Sequence, residues 1–335
     1  MAEGFFDFTP GQVLTAAQVD DYLMRQAVMR FADASARTTA LSGVLVEGMM
    51  SYLKDTNTVE VYDGSAWVAV GGVEGVPTEF LIIAGGGGGG SAVGGGGGGG
   101  RHFTGSGYPL LIPLSTNVAV TIGGGGAAQT LGSNTTFGAF TMFGGGAGAP
   151  NNTDGGTGAN GGGAGGSGGT SRTGGGTYTG ELQGYNGGNS LAGTGAPSGG
   201  GGGSGAVGQN ATAGNAGDGG SGVASSITGS SVSRAGGGGG GCEGGASPGT
   251  GTDGGGDGVA SGNGDNGNAN TGGGGGGAGP STGTGGSGGS GVVILRYLTS
   301  AGTISVGAGL TSSSATDGDY TVVTITAGSD NVSWS

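Results

Sequence analysis

The sequence predicts a mostly β and irregular chain: a short N-terminal helix with a small β-meander, a glycine-rich domain of packed polyglycine II-like helices closed by β-strands, and a small C-terminal β unit. Three observations predict it. One hundred of the 335 residues are glycine, which has no side chain to bury. Strand-like apolar runs stand at both ends of the glycine stretch. Within it, Ala164, Ser167, Thr170 and Thr173 recur at a spacing of three, as do Ser281, Thr284, Ser287 and Ser290, and three residues per turn is the period of an extended left-handed helix.

The first segment, 1–72, has ordinary composition. Thr15 followed by Gln18 is a capping-box pattern that opens a helix running to about Ala36. Val19, Tyr22 and Leu23 point one way on it and Met24, Val28 and Phe31 another, so the helix is expected to be buried on more than one side. Short strands follow at Met49–Leu53, Thr58–Tyr62 and Ala66–Val70, separated by the turns Lys54–Asn57 and Asp63-Gly64-Ser65. One helix and three short strands make too small a core to stand alone, which predicts self-association of identical copies.

A linker, 73–79, leads to the glycine-rich domain, 80–298. It opens on the strand Phe80–Ala84, and thirteen of residues 85–100 are glycine. Tyr108–Ile122 and Phe137–Phe143 read as further strands, and Val292–Tyr297 as a strong closing one. Between residues 144 and 290, 65 of 147 are glycine. Composition alone leaves a flexible linker and an ordered lattice both open. The bracketing strands, which could pair, favour order, as do the glycine-poorer patches Ala149–Asp154, Thr170–Leu191, Val223–Arg234, Cys242–Asp253 and Asn263–Thr271, which read as reversal loops. Residues 299–335 alternate as a small β unit with strands at Tyr320–Thr326 and Asn331–Trp334.

Composition excludes several functions. Eight prolines without a strict glycine triplet exclude collagen. A net charge of -13, with only Arg172 and Arg234 between 144 and 290, argues against a nucleic-acid partner. Cys242 is the one cysteine, so no intrachain disulfide or multi-cysteine zinc site is expected. No apolar run is long enough to span a membrane, and Glu3 and Asp7 stand where a secretory signal would be basic. No cofactor, metal or catalytic residue is expected. The strand and glycines of Leu81–Gly90 lack the helix a dinucleotide site needs, and Lys54, the one lysine, sits in a turn. His102 has no matched catalytic partner and reads as structural. Arg172, Tyr178, Glu181, Leu182 and Tyr185 cluster in a featureless tract, and Arg234 closes another patch. Such side chains either form recognition hot spots or plug the edge of a lattice.

The runs Leu14–Val19, Tyr22–Gln26, Phe31–Arg37, Glu47–Met49, Tyr52–Thr56 and Val61–Trp67 resemble the head of tailed-bacteriophage minor tail proteins and tail fibres. The body, from Phe80–Ala84 to Gly291–Tyr297, resembles the glycine-rich domain of such fibres and of receptor-binding tail adhesins, some of which pack polyglycine II helices. The resemblance implies a non-enzymatic virion component, assembled in the host cytoplasm and acting outside the cell. It implies a homotrimer with Val19, Tyr22, Leu23, Val28 and Phe31 at the trimer interface, docked to tail or baseplate proteins through its N-terminal region. The glycine-rich part would meet a host surface glycan or protein, with Arg172, Tyr178, Tyr185 and Arg234 as receptor-binding candidates. The alternatives are a purely structural tail or virion decoration with a glycine spacer, and an ice- or surface-binding protein built on polyglycine helices.

Overall fold

A computed structural model describes residues 28–56, 58–70, 75–178 and 184–335. The expected capping box, most of the expected helix, and Val19, Tyr22, Leu23, Met24, Glu181 and Leu182 lie outside the described residues. The chain divides into two compact units, 1–74 and 75–335.

In the first unit the described helix begins only at the end of the expected one. Met29–Phe31 is a strand, β1, and the helix α1 covers Ala34–Ala40. Asp33 decides the start: its backbone is extended and its Oδ1 accepts from the Ala36 N–H at 2.7 Å, satisfying one of the free donors of the first turn. Upstream of this cap the chain pairs in parallel with β2 (Met50–Leu53), Phe31 opposite Leu53. The antiparallel strands β3 (Thr58–Tyr62) and β4 (Trp67–Ala69) complete a four-stranded sheet. Arg37 packs against this sheet almost fully buried. Its guanidinium pairs with Glu60, donates to Ser51 Oγ at 3.0 Å and lies 4.3 Å from the Trp67 ring centroid.

The second unit is organised by a ten-stranded sheet. Its members are β5 (Gly75–Ile83), β6 (His102–Thr104), β7 (Leu110–Pro113), β8 (Val118–Thr121), β9 (Thr135–Phe137), β10 (Phe140–Met142), β13 (Val292–Leu298), β14 (Ile304–Val306), β15 (Leu310–Asp317) and β16 (Tyr320–Trp334). Their order is β10-β9-β8-β16-β13-β5-β6, with β14 and β15 also paired to β16 and β7 to β5. The bracketing strands pair as expected, Val292 opposite Ile83 through Tyr297 opposite Thr78. The sheet curls into a near-closed barrel. Its two terminal strands meet through Phe103 and Phe140, ring centroids 5.6 Å apart, and through the Arg101 N–H to the Phe143 carbonyl at 3.0 Å.

Period-two alternation fills the barrel. Val76, Phe80 and Ile82 of β5, Val293, Leu295 and Tyr297 of β13, and Val323, Ile325, Val332 and Trp334 of β16 point inward to one core with Ile112, Val120 and Phe137. Leu81, Ile83, Val292, Ile294 and Val322 point the other way and pack with Ile227 and Ala235 of the glycine-rich body.

The expected packed polyglycine II-like helices of 80–298 are corrected by these elements. No helix is assigned there among the described residues; the regular elements are strands, and the fold is mostly β around the barrel sheet with one short N-terminal helix. The spacing of three does not trace one continuous element either: Ser167 bridges Ala192, and the chain reverses before Arg172. Between the strands the glycine segments form no regular element and hydrogen-bond to one another. Gly86 and Gly89 donate to Gly289 and Gly286, while Gly87 and Gly90 donate to Gly98 and Gly95. Approach is so close that a Cβ on Gly97 would overlap the Gly87 carbonyl, which is why this packing needs glycine. The expected loop at Val223–Arg234 is a two-stranded hairpin, β11 (Val223–Ser225) with β12 (Val232–Arg234). The residues read as a separate C-terminal unit belong to the barrel, since β16 pairs with β8, β13, β14 and β15. The last of the residues read as linker, Gly75–Glu79, are the first half of β5.

Candidate interaction sites

The glycine segment 94–100 runs from the turn Ser91–Val93 to His102 at the start of β6 and so marks two ends of the body. Gly166 N–H donates to the Val93 carbonyl at the turn end. Asn160 Nδ2 donates to the Gly99 carbonyl at 2.8 Å at the barrel end.

Arg172 lies at the turn end. Its Nε and Nη2 donate to Asn152 Oδ1 at 2.9 and 2.8 Å, and Asn152 is tied to the Gly166 carbonyl by its own N–H. The Arg172 N–H donates to Ser190 Oγ and the Ala192 N–H to Ser171 Oγ, which fastens this loop to the next. That next loop borders an open cavity of about 370 Å³ lined by Leu191, Ala192, Thr194, Pro197 and Ala213. The turn itself is tightly held: Val93 is buried at φ 61°, a conformation β-branched residues rarely adopt, and its carbonyl accepts from Gly166 N–H and Ser198 Oγ–H.

Tyr178, Tyr185 and Arg234 lie at the barrel end. The Tyr178 N–H donates to the Gly158 carbonyl, and its ring meets Phe143 edge-on at 5.7 Å. The Tyr185 N–H donates to Asn160 Oδ1, whose Nδ2 also donates to Ser204 Oγ at 3.0 Å, and the Ser204 N–H donates to the Ala235 carbonyl. The structure therefore separates Arg172 from the other three receptor-binding candidates. Of the trimer-interface candidates among the described residues, Val28 is exposed and Phe31 half-buried in β1.

His102 belongs to the same end as Arg234. Its neighbour Phe103 faces the barrel core, so His102 faces outward, opposite Ile83, on the side where Ala235 packs. Burial first, then the charge of Arg234, then that of Arg101, press its pKa down to about 4. Burial also lowers the Arg234 pKa. His102 Nε2 and Arg234 Nη1 are both sealed from solvent and without a hydrogen-bond partner. Sequence reading placed His102 in a structural role and missed Arg234 as its neighbour; the adjacent Arg101-His102 pair closing a glycine run was the available signal.

Cys242 is buried, its Sγ–H donates to the Ala246 carbonyl at 3.2 Å, and burial pushes its pKa up, which suits an inert thiol. Among the described residues no group of three or more His, Cys, Asp or Glu is placed to hold a metal ion. No described helix is long and apolar enough to cross a membrane.

Residues 63–298 match the family model of the glycine-rich domain. No curated protein and no solved structure matches the chain. The matched span ends at the last residue of β13, includes both central barrel strands and the whole glycine body, and covers well over half of the sequence. The chain belongs to the glycine-rich domain family.

Proposed function

We propose that this chain is a tail-fibre or minor tail protein of a tailed bacteriophage that attaches the virion to the host surface without catalysing a reaction. The observation that carries this reading is the turn end of the glycine body. There Arg172 is held by both of its bonds to Asn152, and its backbone N–H ties it to Ser190, the residue before Leu191 of an open, mainly apolar cavity. A fixed guanidinium, with an apolar hollow on the adjoining loop, suits recognition of a polar surface group such as a glycan or a protein loop, and it does so at little cost in side-chain entropy. Each site is small. Affinity on this reading comes from several copies engaging together, which a homotrimer anchored through its N-terminal unit supplies. The tail-like sequence of the N-terminal unit supports docking to tail or baseplate proteins.

The test is adsorption of virions carrying Arg172→Ala together with Leu191→Asp, in a chain shown to keep its melting midpoint. A drop of at least about tenfold in adsorption is expected from losing one such contact in each copy. Unchanged adsorption would sink the attachment reading and leave the glycine body as a spacer.

A further inference from the structure

On the face of β15 that continues the barrel core, only Leu310 is apolar and buried. Ser312, Ser314 and Thr316 follow it on that face, all exposed, with Ser312 and Ser314 opposite the core residues Ile325 and Val323 of β16. Period-two alternation would put apolar side chains at these positions if the barrel closed over them. Instead β15 pairs with β16 alone, and its serines border an open cavity of about 470 Å³. Ile304 and Val306 of β14 give this cavity an apolar wall, and Thr303 adds a further hydroxyl. An adjoining hollow shares Thr299 with it and continues along β15 to Thr316. The hydroxyls of Thr303, Ser312, Ser314 and Thr316 make no side-chain hydrogen bond among the described residues. Tyr297 Oη, also in the lining, accepts from the Ile304 N–H at 3.3 Å and keeps its own proton to donate. No charged side chain lines the first cavity, and Asp319 alone does so in the second.

We propose that this groove binds a neutral oligosaccharide. Serine and threonine hydroxyls both donate and accept, as sugar hydroxyls do, and the C–H face of a sugar ring suits the wall of Ile304 and Val306. From Ser312 to Thr316 the strand runs about 13 Å, long enough for more than one ring. An acidic saccharide would find no cation in the lining and would meet a chain of net charge -13. An extended peptide would take the unpaired edge of β15 instead, where backbone groups rather than hydroxyls carry the affinity. The groove shares no residue with the Arg172 loop, so the inference stands apart from the attachment reading.

Binding of the intact chain to immobilised linear tetrasaccharides tests this, with neutral probes built of glucose, galactose, mannose or N-acetylglucosamine set against tetragalacturonate. At least one neutral probe is expected to bind, and tetragalacturonate to bind at least about tenfold more weakly. Ser312→Val with Ser314→Val removes two hydroxyls, keeps residues suited to a strand, and should weaken that binding at least about tenfold. Ser313→Val, on the opposite face of the same strand, should leave it unchanged. Should the double variant fail to fold, Thr303→Val supplies the same comparison with Ser313→Val. No binding of any neutral probe, equal binding of tetragalacturonate, or an equal loss in Ser313→Val would each overturn the proposal. None of these results touches virion adsorption, so failure here leaves the attachment reading to its own test.

Discussion

His102 shows how one side chain sets a pH dependence for its whole unit. Its pKa falls from 6.5 to about 4 because burial and the Arg234 and Arg101 charges disfavour the imidazolium. Between those two values the unfolded chain takes up a proton that the folded chain excludes. Stability therefore falls as pH drops through this window, is unaffected above it, and carries the full penalty below about 4. A shift of this size corresponds to about 3 kcal/mol. His102→Phe should lose this slope between pH 6.5 and 4, measured as the difference in urea midpoint from the parent chain at each pH. Glycine makes a second prediction at this scale. Gly97→Ala forces a Cβ onto the Gly87 carbonyl, with the Gly275 amide close on the other side, so relief requires backbone movement. A loss of about 3 kcal/mol is expected, against near neutrality for Gly169→Ala, which faces open space. Equal effects would mean that the glycine segments are not closely packed. Neither residue's importance was legible in the sequence, since one glycine among a hundred looks like any other and the solitary histidine has no motif around it.

Elements were legible where their signal was local. Thr58–Tyr62 is a strand with the boundaries its alternation predicts, and Val292–Tyr297 needed only one more residue. The expected helix does not continue through Met29–Phe31, which pairs with β2, because the Asp33 side chain caps a separate helix at Ala34 and Phe31 lies opposite Leu53. Against that same sheet the helix residue Arg37 is buried, paired with Glu60 and lying over Trp67. Glu60→Gln should cost about 3–5 kcal/mol by leaving the guanidinium uncompensated, whereas Arg37→Met with Glu60→Gln should recover most of it. Thermal unfolding followed by Trp67 fluorescence reads both, and equal costs for single and double variants would show that the pair contributes nothing. In β16 the sequence suggested two short strands, Tyr320–Thr326 and Asn331–Trp334, but the structure runs them together as one fifteen-residue strand. Trp334 is almost fully buried at its end and meets Tyr297 edge-on at 5.9 Å. Trp334→Ala should destabilise the barrel by about 3–5 kcal/mol, read from the urea midpoint.

At the scale of the molecule, the barrel joins pieces that are far apart in the chain. The second unit begins at Gly75, and β5 pairs with β7 from its first residue. A fragment covering 75–335 should therefore unfold cooperatively with the midpoint this unit has in the full chain, while deleting 299–335 removes β14, β15 and β16 and should abolish that transition. Circular dichroism with heating decides it; a truncated chain that still melts sharply would show that the glycine body stands without the barrel. The proposed homotrimer makes its own prediction, a mass of about three chains by light scattering, and a folded monomer would remove the avidity on which the attachment reading depends.

The sequence by itself determined the division into an ordinary head and a glycine-rich body, the absence of one side-chain core along the whole chain, and the two strands that bracket the body and pair. Each is a local property of composition or alternation. Only the tertiary structure decided that the fold is organised by a near-closed β-barrel rather than by packed helices, that the last thirty-seven residues help to close it, and that Arg172 stands at one end of the body while Arg234 and His102 lie at the other. These depend on which distant segments lie side by side. In a chain where a hundred residues carry no side chain, partner choice rests on backbone amides that are identical from one glycine to the next.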